Sequence, residues 1–413
     1  MVFESSANEE TTYVPRNENV LWSRLFVTLL FVNFTNFMGF FMLLPTLSLY
    51  LTAEGCPETE IGLVIGSFTV FSIVFRLLST KVAKRFGAVR AVRFGLLTSA
   101  VGTLFFFLIH STGSYVAARL LQGAGFGVTS TMIVTIASEI IPPSRMAEGL
   151  GYLGLGSTAA MALGPLVGIF AAEKAGFGFM FSAVSFFGLT AAAITLTIPG
   201  IKVFFPVPAT PKTERFRLDR RPFPAAALAV FYGIAISSVS AFLAVYAENA
   251  KLPGAAAFFL VSTTGTLVAR LLTGKIYDRK GDRAVIPPAT LLLFVSFALL
   301  LGARPVHPFA YYAAAVIYGF AIGSLFPSIQ SLAIGSVPHS GRSVSVTTFF
   351  VCYDFGTGSG AMILGFLAGW FGGYRVVFFG AEVCVALIVL TYGFFYLLPG
   401  QRKIRLSLAA KEE

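Results

Sequence analysis

Long apolar stretches alternate with short polar joints from one end of this chain to the other. Stretches of about eighteen or more residues with almost no charge are the pattern of membrane-crossing helices. A helix rises about 1.5 Å per residue, so about 20 residues span ~30 Å of hydrocarbon. On that measure the pattern predicts twelve helices. They lie near 22–47, 60–80, 89–110, 113–137, 147–171, 177–199, 222–247, 255–276, 284–303, 307–333, 343–369 and 375–398. Proline and glycine punctuate the joints: Pro45, Gly113, Pro142-Pro143, Pro253-Gly254, Pro287-Pro288, Pro338 and Pro399-Gly400.

Composition sharpens this picture. With 56% hydrophobic and only 12% charged residues in 413, the chain is not a soluble globular protein. Its net charge of +11 raises the question of nucleic acid. No contiguous basic surface is available outside the bilayer to hold a duplex, and nucleic acid is set aside. The basic residues fall instead in alternate joints. One side takes Lys81, Lys84, Arg85, Arg90 and Arg93, then Lys202 to Arg221, then Lys275, Arg279, Lys280 and Arg283, then Arg402, Lys403 and Arg405. The other side has Lys174, Lys251, Arg304 and Arg375, and its first joint carries Glu54 and Glu58 with no base.

By the positive-inside rule both termini are cytoplasmic, in a multi-pass protein of the plasma (inner) membrane. The expected organisation is a cytoplasmic tail 1–21, a six-helix bundle 22–199, a polar basic linker 200–221, a second bundle 222–398 and a tail 399–413. The linker reads as a solvated tether. Residues 1–20 lack a basic leader region, so the first apolar run is read as a retained helix. Cys56, Cys352 and Cys384 offer neither a disulfide framework nor a metal spacing. The expectation is no metal and no cofactor.

The stretch Phe75 to Arg90 returns as Ala269 to Arg283. Arg76 aligns with Arg270, Thr80 with Gly274, Lys84 with Asp278 and Gly87 with Gly281; the offset is 194 throughout (270 − 76, 281 − 87). A repeat of half the chain means two similar multi-helix halves. Gly274, Asp278, Arg279, Gly281 and Arg283 fit the loop pattern G-x-x-x-D-R-x-G-R, and Arg85, Gly87 and Arg90 keep part of it in the first copy. On these residues the chain resembles the major facilitator superfamily, most of all its proton-coupled twelve-helix exporters of drugs and metabolites. The resemblance implies an all-α membrane fold of two pseudo-symmetric six-helix bundles. It also implies a conformational latch at the loop motif. Thr80 and Lys84 depart from the pattern, so only the latch at Asp278 carries over.

Two more motifs support the resemblance. Arg119-Leu120-Leu121-Gln122-Gly123-Ala124-Gly125-Phe126-Gly127 resembles the superfamily's R-x-x-Q-G-x-G-x-G run. Arg119 and Gln122 share a helix face, about 9 Å in from the helix start. An arginine in hydrocarbon costs at least about 2.5–3.5 kcal/mol, so a cavity or partner is expected there. In proton-exchanging relatives an arginine here often tunes a nearby carboxylate. Gly156, Ala160, Gly164, Pro165 and Gly168 form a small-residue stripe suited to helix contact. Gly164-Pro165 with Gly168 resembles the G-P-x-x-G element of exporters, one glycine short of the full form.

Asp354 sits about eleven residues into the eleventh helix, near mid-bilayer, with no base close in sequence. A lone carboxyl at that depth is suited to carry a proton, since burial favours its neutral form. A permanently paired structural acid is the competing reading. Glu382 is a second candidate. In this superfamily helices one, four, seven and ten line the central cavity. That places Asn33, Asn36, Tyr232, Tyr318 and Phe326 on the substrate pathway with Arg119 and Gln122. An aromatic cavity with few fixed charges suits amphiphilic or aromatic organic molecules.

No metal-ligand spacing, nucleophile elbow or phosphate loop supports an enzyme. The expectation is a monomeric secondary transporter exporting a small organic molecule by proton antiport. Its alternatives are an importer or facilitator of a sugar, organic acid or other metabolite, and a transporter-derived scaffold or sensor binding a partner at 200–221.

Overall fold

A computed structural model describes residues 21–108, 111–142, 145–198, 223–305, 308–337 and 342–397. The expected linker and tails lie outside them, as does the side chain of Asp278. The helices are α1 Arg24–Ala53, α2 Glu58–Phe86, α3 Ala88–Leu108 and α4 Thr112–Ile140. A long helical stretch, Met146–Ile194, is broken at Gly176, whose φ of 82° and ψ of 167° are not helical. We number its parts α5 (146–175) and α6 (177–194). There follow α7 Phe223–Asn249, α8 Ala255–Lys280, α9 Ile286–Gly302, α10 Phe309–Gly335, α11 Arg342–Phe371 and α12 Arg375–Tyr392. All are long and apolar enough to cross a membrane once the break at Gly176 is counted.

Side chains mark some helix starts. The Ser23 hydroxyl accepts from the Phe26 N–H at 3.2 Å, and Ser111 forms a reciprocal cap with Ser114 at the start of α4. Pro45 does not end α1, contrary to the sequence expectation: the helix runs through it to Ala53 and turns at Gly55. Proline forfeits one ladder bond, but in hydrocarbon the chain has no better use for its remaining polar groups than the helix. The basic stretch after α2 is likewise less of a turn than it reads. Helix α2 continues to Phe86, and Gly87 alone makes the corner at φ 88°.

The repeat in sequence is a repeat in packing. Gly281 turns α8 at φ 78°, as Gly87 turns α2. Their N–H groups donate to the carbonyls of Tyr277 and Ala83, also 194 apart. Gly123 and Gly127 bring α4 onto the backbone of Phe68 and Ser72 in α2; Gly319 and Gly323 bring α10 onto Ser262 and Thr266 in α8. Two six-helix bundles related in this way make up the described fold.

The halves meet chiefly along α2 and α11, with α1 against α7 and α5 against α8. Gly62 and Gly66 face Gly365 and Gly358, and a methyl on Gly62 would overlap the Ala361 carbonyl. Such contact lets two helix backbones nearly touch. It lies toward the start of α2, the end away from the basic corner at Gly87. Leu63, Val70 and Val74 of α2, Phe186 of α6 and Phe366 of α11 are exposed, as a lipid-facing surface requires.

Candidate functional site

Asp354 is not alone. The Nη2 of Arg76 donates to its Oδ2 at 2.8 Å, forming an ion pair. Arg76 lies about 15 Å from the α2 end at Phe86, and Asp354 about 18 Å into α11, so both sit near mid-membrane. Their side chains are 14% and 19% exposed, so neither is fully enclosed. The pair spans the two halves. The sequence reading of Asp354 as an acid without a base is thus corrected: its base is 278 residues away, in a stretch assigned to the loop motif. The Arg76 Nε is buried without a partner, so Asp354 satisfies only part of the guanidinium.

Arg119 is fully buried inside the first half. It donates to Gln122 Oε1 at 2.8 Å, and its guanidinium carbon lies 4.5 Å from the centre of the Phe68 ring. Gln122 in turn donates to the Thr103 hydroxyl at 2.8 Å. No carboxylate pairs with Arg119 among the described residues, so the expectation that it tunes a nearby acid is not met here. The ring face and the amide oxygen supply the negative potential instead. Arg119, Gln122, Asn36, Phe40, Thr103 and Phe126 line a cavity of about 50 Å³. That holds a water or two but no drug-sized molecule. Asn36 Nδ2 and Arg119 Nε are buried there without partners.

Asn33 does not open onto this cavity. Its amide donates to the Leu153 carbonyl at 3.0 Å and the Ser157 hydroxyl at 2.9 Å, tying α1 to α5. Its assignment to the substrate pathway is therefore corrected to a tie between helices. Gly164 and Gly168 bring α5 against the backbone of Phe41 and Met42 on either side of Pro165, which stays inside the helix.

In the second half Tyr232, Phe326 and Tyr353 form one aromatic group from α7, α10 and α11. Their ring centres are 6.3 Å apart for Tyr232 and Phe326, 6.0 Å for Tyr232 and Tyr353, and 5.1 Å for Phe326 and Tyr353. Arg270 lies within electrostatic reach of Tyr232. Tyr318 packs against Phe258 and Phe297 of α8 and α9 and lies within electrostatic reach of Tyr232 and Tyr353. Glu382 is half-buried on α12, which packs on α7, α9 and α11 of its own half, away from the inter-half pair.

At the basic end Arg85, Arg90 and Arg279 are exposed, and Gly274 has open space around it. Arg283 donates to the Tyr396 carbonyl at 3.1 Å, and Asp282 accepts from the Tyr392 hydroxyl at 2.6 Å. The latch expected of Asp278 falls on a side chain outside the described residues. Sequence reasoning missed the role of Arg76 and the place of Tyr353. It had Arg270 only as a repeat marker.

The profile of the Major Facilitator Superfamily matches residues 29–358. The chain belongs to the major facilitator superfamily. Among curated relatives, the staphylopine export protein of Staphylococcus aureus is 24% identical over 332 residues, covering 75% of this chain and 81% of that protein. The quinolone resistance protein NorA of the same species is 25% identical over 140 residues, 34% of this chain and 36% of NorA. The crystal structure of the nucleoside transporter NupG superposes with a TM-score of 0.73 at 16% identity, over 91% of this chain and all of that one. The fold is that of a superfamily transporter, a multi-pass integral membrane protein and not an enzyme.

Proposed function

We propose that this superfamily member exports a small organic molecule in exchange for protons, with Asp354 as the protonation site and Arg76 as its counter-charge. The observation that carries the reading is the position of the pair. It joins the two halves at mid-membrane, where the superfamily's alternating access hinges. Protonating Asp354 removes the charge–charge attraction across that contact and leaves only a neutral hydrogen bond, and the halves part more easily. Releasing the proton restores it. A gradient of ~100 mV supplies about 2.3 kcal/mol per proton, which sustains about a fifty-fold substrate gradient.

The direction rests on the exporter-like Gly164-Pro165 element and on relatives named for export and drug resistance. With the basic ends taken as cytoplasmic, the tight packing of α2 on α11 around Gly62 falls toward the outer side, and this is the contact that must open to release substrate outward. The test is flux in proteoliposomes under an imposed pH gradient. Wild type is expected to move substrate against the proton flow, and Asp354→Asn to lose that coupling. An Asp354→Asn protein as active as wild type from pH 6 to 8 rules out this carboxyl as the carrier. Uptake collapsed by a protonophore identifies an importer instead.

A further inference from the structure

The two halves correspond by constant offsets around the Arg76–Asp354 pair, and the correspondence exposes a gap. Two matched pairs of packing contacts fix it. Asn33 reaches the Leu153 carbonyl, and Gly233 abuts the Tyr353 carbonyl. Gly156 faces the Leu30 carbonyl, and Gly356 abuts that of Val230. In each case the second-half residues are the first-half ones plus 200. Asp354 therefore corresponds to Gly154. Arg76 corresponds to Arg270 by the offset of 194 that relates α2 to α8. The second half thus keeps the arginine, while the first half puts a glycine where its carboxylate belongs. Gly154 is exposed, with open space where a side chain would stand.

Arg270 is accordingly a cation with half a site. Among the described residues no carboxylate pairs with it, and its Nε is buried without a hydrogen-bond partner. A guanidinium held this way in hydrocarbon is costly unless an anion meets it. Tyr232 is within electrostatic reach of it and stacks on Tyr353, whose ring meets Phe326. We propose that Arg270 binds the carboxylate of the transported molecule, an aromatic organic acid whose anionic group stands where Gly154 leaves out the counterpart of Asp354 and whose ring packs on the half-buried Tyr353 and Phe326. The fork of the guanidinium suits a planar carboxylate, and the rings give offset or edge contacts for an aromatic body. The proposal rests on the transporter reading above and names its substrate class.

The experiment uses the purified full chain and two probes of one shape, 2-naphthoate and its neutral amide, 2-naphthamide. Equilibrium binding by wild type is expected to favour naphthoate at least tenfold. Arg270→Gln is expected to bring naphthoate down to the level of the amide, with Arg270→Lys in between, since a point charge keeps attraction but loses the fork. Gly154→Asp supplies the missing carboxylate from the chain itself and is expected to abolish naphthoate binding while leaving the thermal midpoint unchanged or higher. Equal binding of the two probes, no binding of either, or naphthoate binding unchanged in Arg270→Gln or in Gly154→Asp each overturns the proposal. Flux of the cationic dye ethidium under a pH gradient separates this from the broader reading. If that flux survives while naphthoate selectivity is absent, the exporter stands and the anion site falls. If no probe moves with the gradient, the exporter reading falls as well.

Discussion

The Arg76–Asp354 pair sets the chemistry at the scale of single residues. Removing one partner of an enclosed pair strands the other charge, which costs about 3–5 kcal/mol when burial is complete. Both side chains keep some exposure here, so we expect about 2 kcal/mol for Asp354→Leu or Arg76→Met alone. The double variant leaves no charge unpaired and is expected to unfold within about 1 kcal/mol of wild type, while remaining unable to couple flux to protons. Thermal midpoints in detergent for the four proteins measure the cycle. Equal losses that simply add show that the two charges do not sense each other.

Cys56, in the joint between α1 and α2, offers a second residue-scale measurement. Burial pushes its thiol above the usual range, and the carboxylates of Glu60 and Glu54 push it the same way. The thiolate is the reactive form, so maleimide labelling of Cys56 should be slow at pH 7 and rise steeply through pH 9. Substituting Glu60→Gln should speed the reaction at pH 7. An impermeant maleimide added to cells also reports which side this joint occupies. Labelling only after the membrane is opened reverses the orientation assigned here.

At the scale of elements, glycines decide where helices stop and where they touch. Gly87 and Gly281 adopt φ values of 88° and 78° with open space around them. An alanine there meets no neighbour, and only backbone strain opposes it, about 1–2 kcal/mol each. Gly62 has the opposite problem. Its φ is helical, but a methyl would overlap the α11 backbone at Ala361 and Gly365. Gly62→Ala should therefore push α2 from α11 and favour the state open on that side. Thr69 rests against Gly358 in the same contact, so a Thr69→Cys reporter should label faster when Gly62→Ala is added.

Local features of this kind were legible in the sequence. Apolar runs mark the twelve crossings, and the offset of 194 marks both corners. Pro45 misled because proline breaks helices in water far more readily than in lipid. The Arg76–Asp354 contact was not legible at all. It joins positions 278 apart, and nothing in either local stretch names the other. The same blindness hid the tie from Asn33 to α5, since an asparagine on the right face of α1 looks alike whether it meets substrate or a neighbouring carbonyl.

At the scale of the whole molecule, transport requires the packed contact of α2 on α11 to open and close. A disulfide across it should therefore stop the cycle. Position 369 suits the purpose: a Cβ there would stand 3.8 Å from the Cβ of Thr59, within the ~3.5–4.5 Å that a disulfide needs. In a chain with Cys56, Cys352 and Cys384 replaced, Thr59→Cys with Gly369→Cys should cross-link on mild oxidation. Flux should then fall to background and return on reduction. Binding should behave differently. If the state closed at α2 and α11 is the one that loads substrate, the locked protein keeps its affinity while losing turnover. A locked protein that still transports would mean that these halves do not rock about this contact, and the Arg76–Asp354 pair would then be a fixed strut instead of a switch.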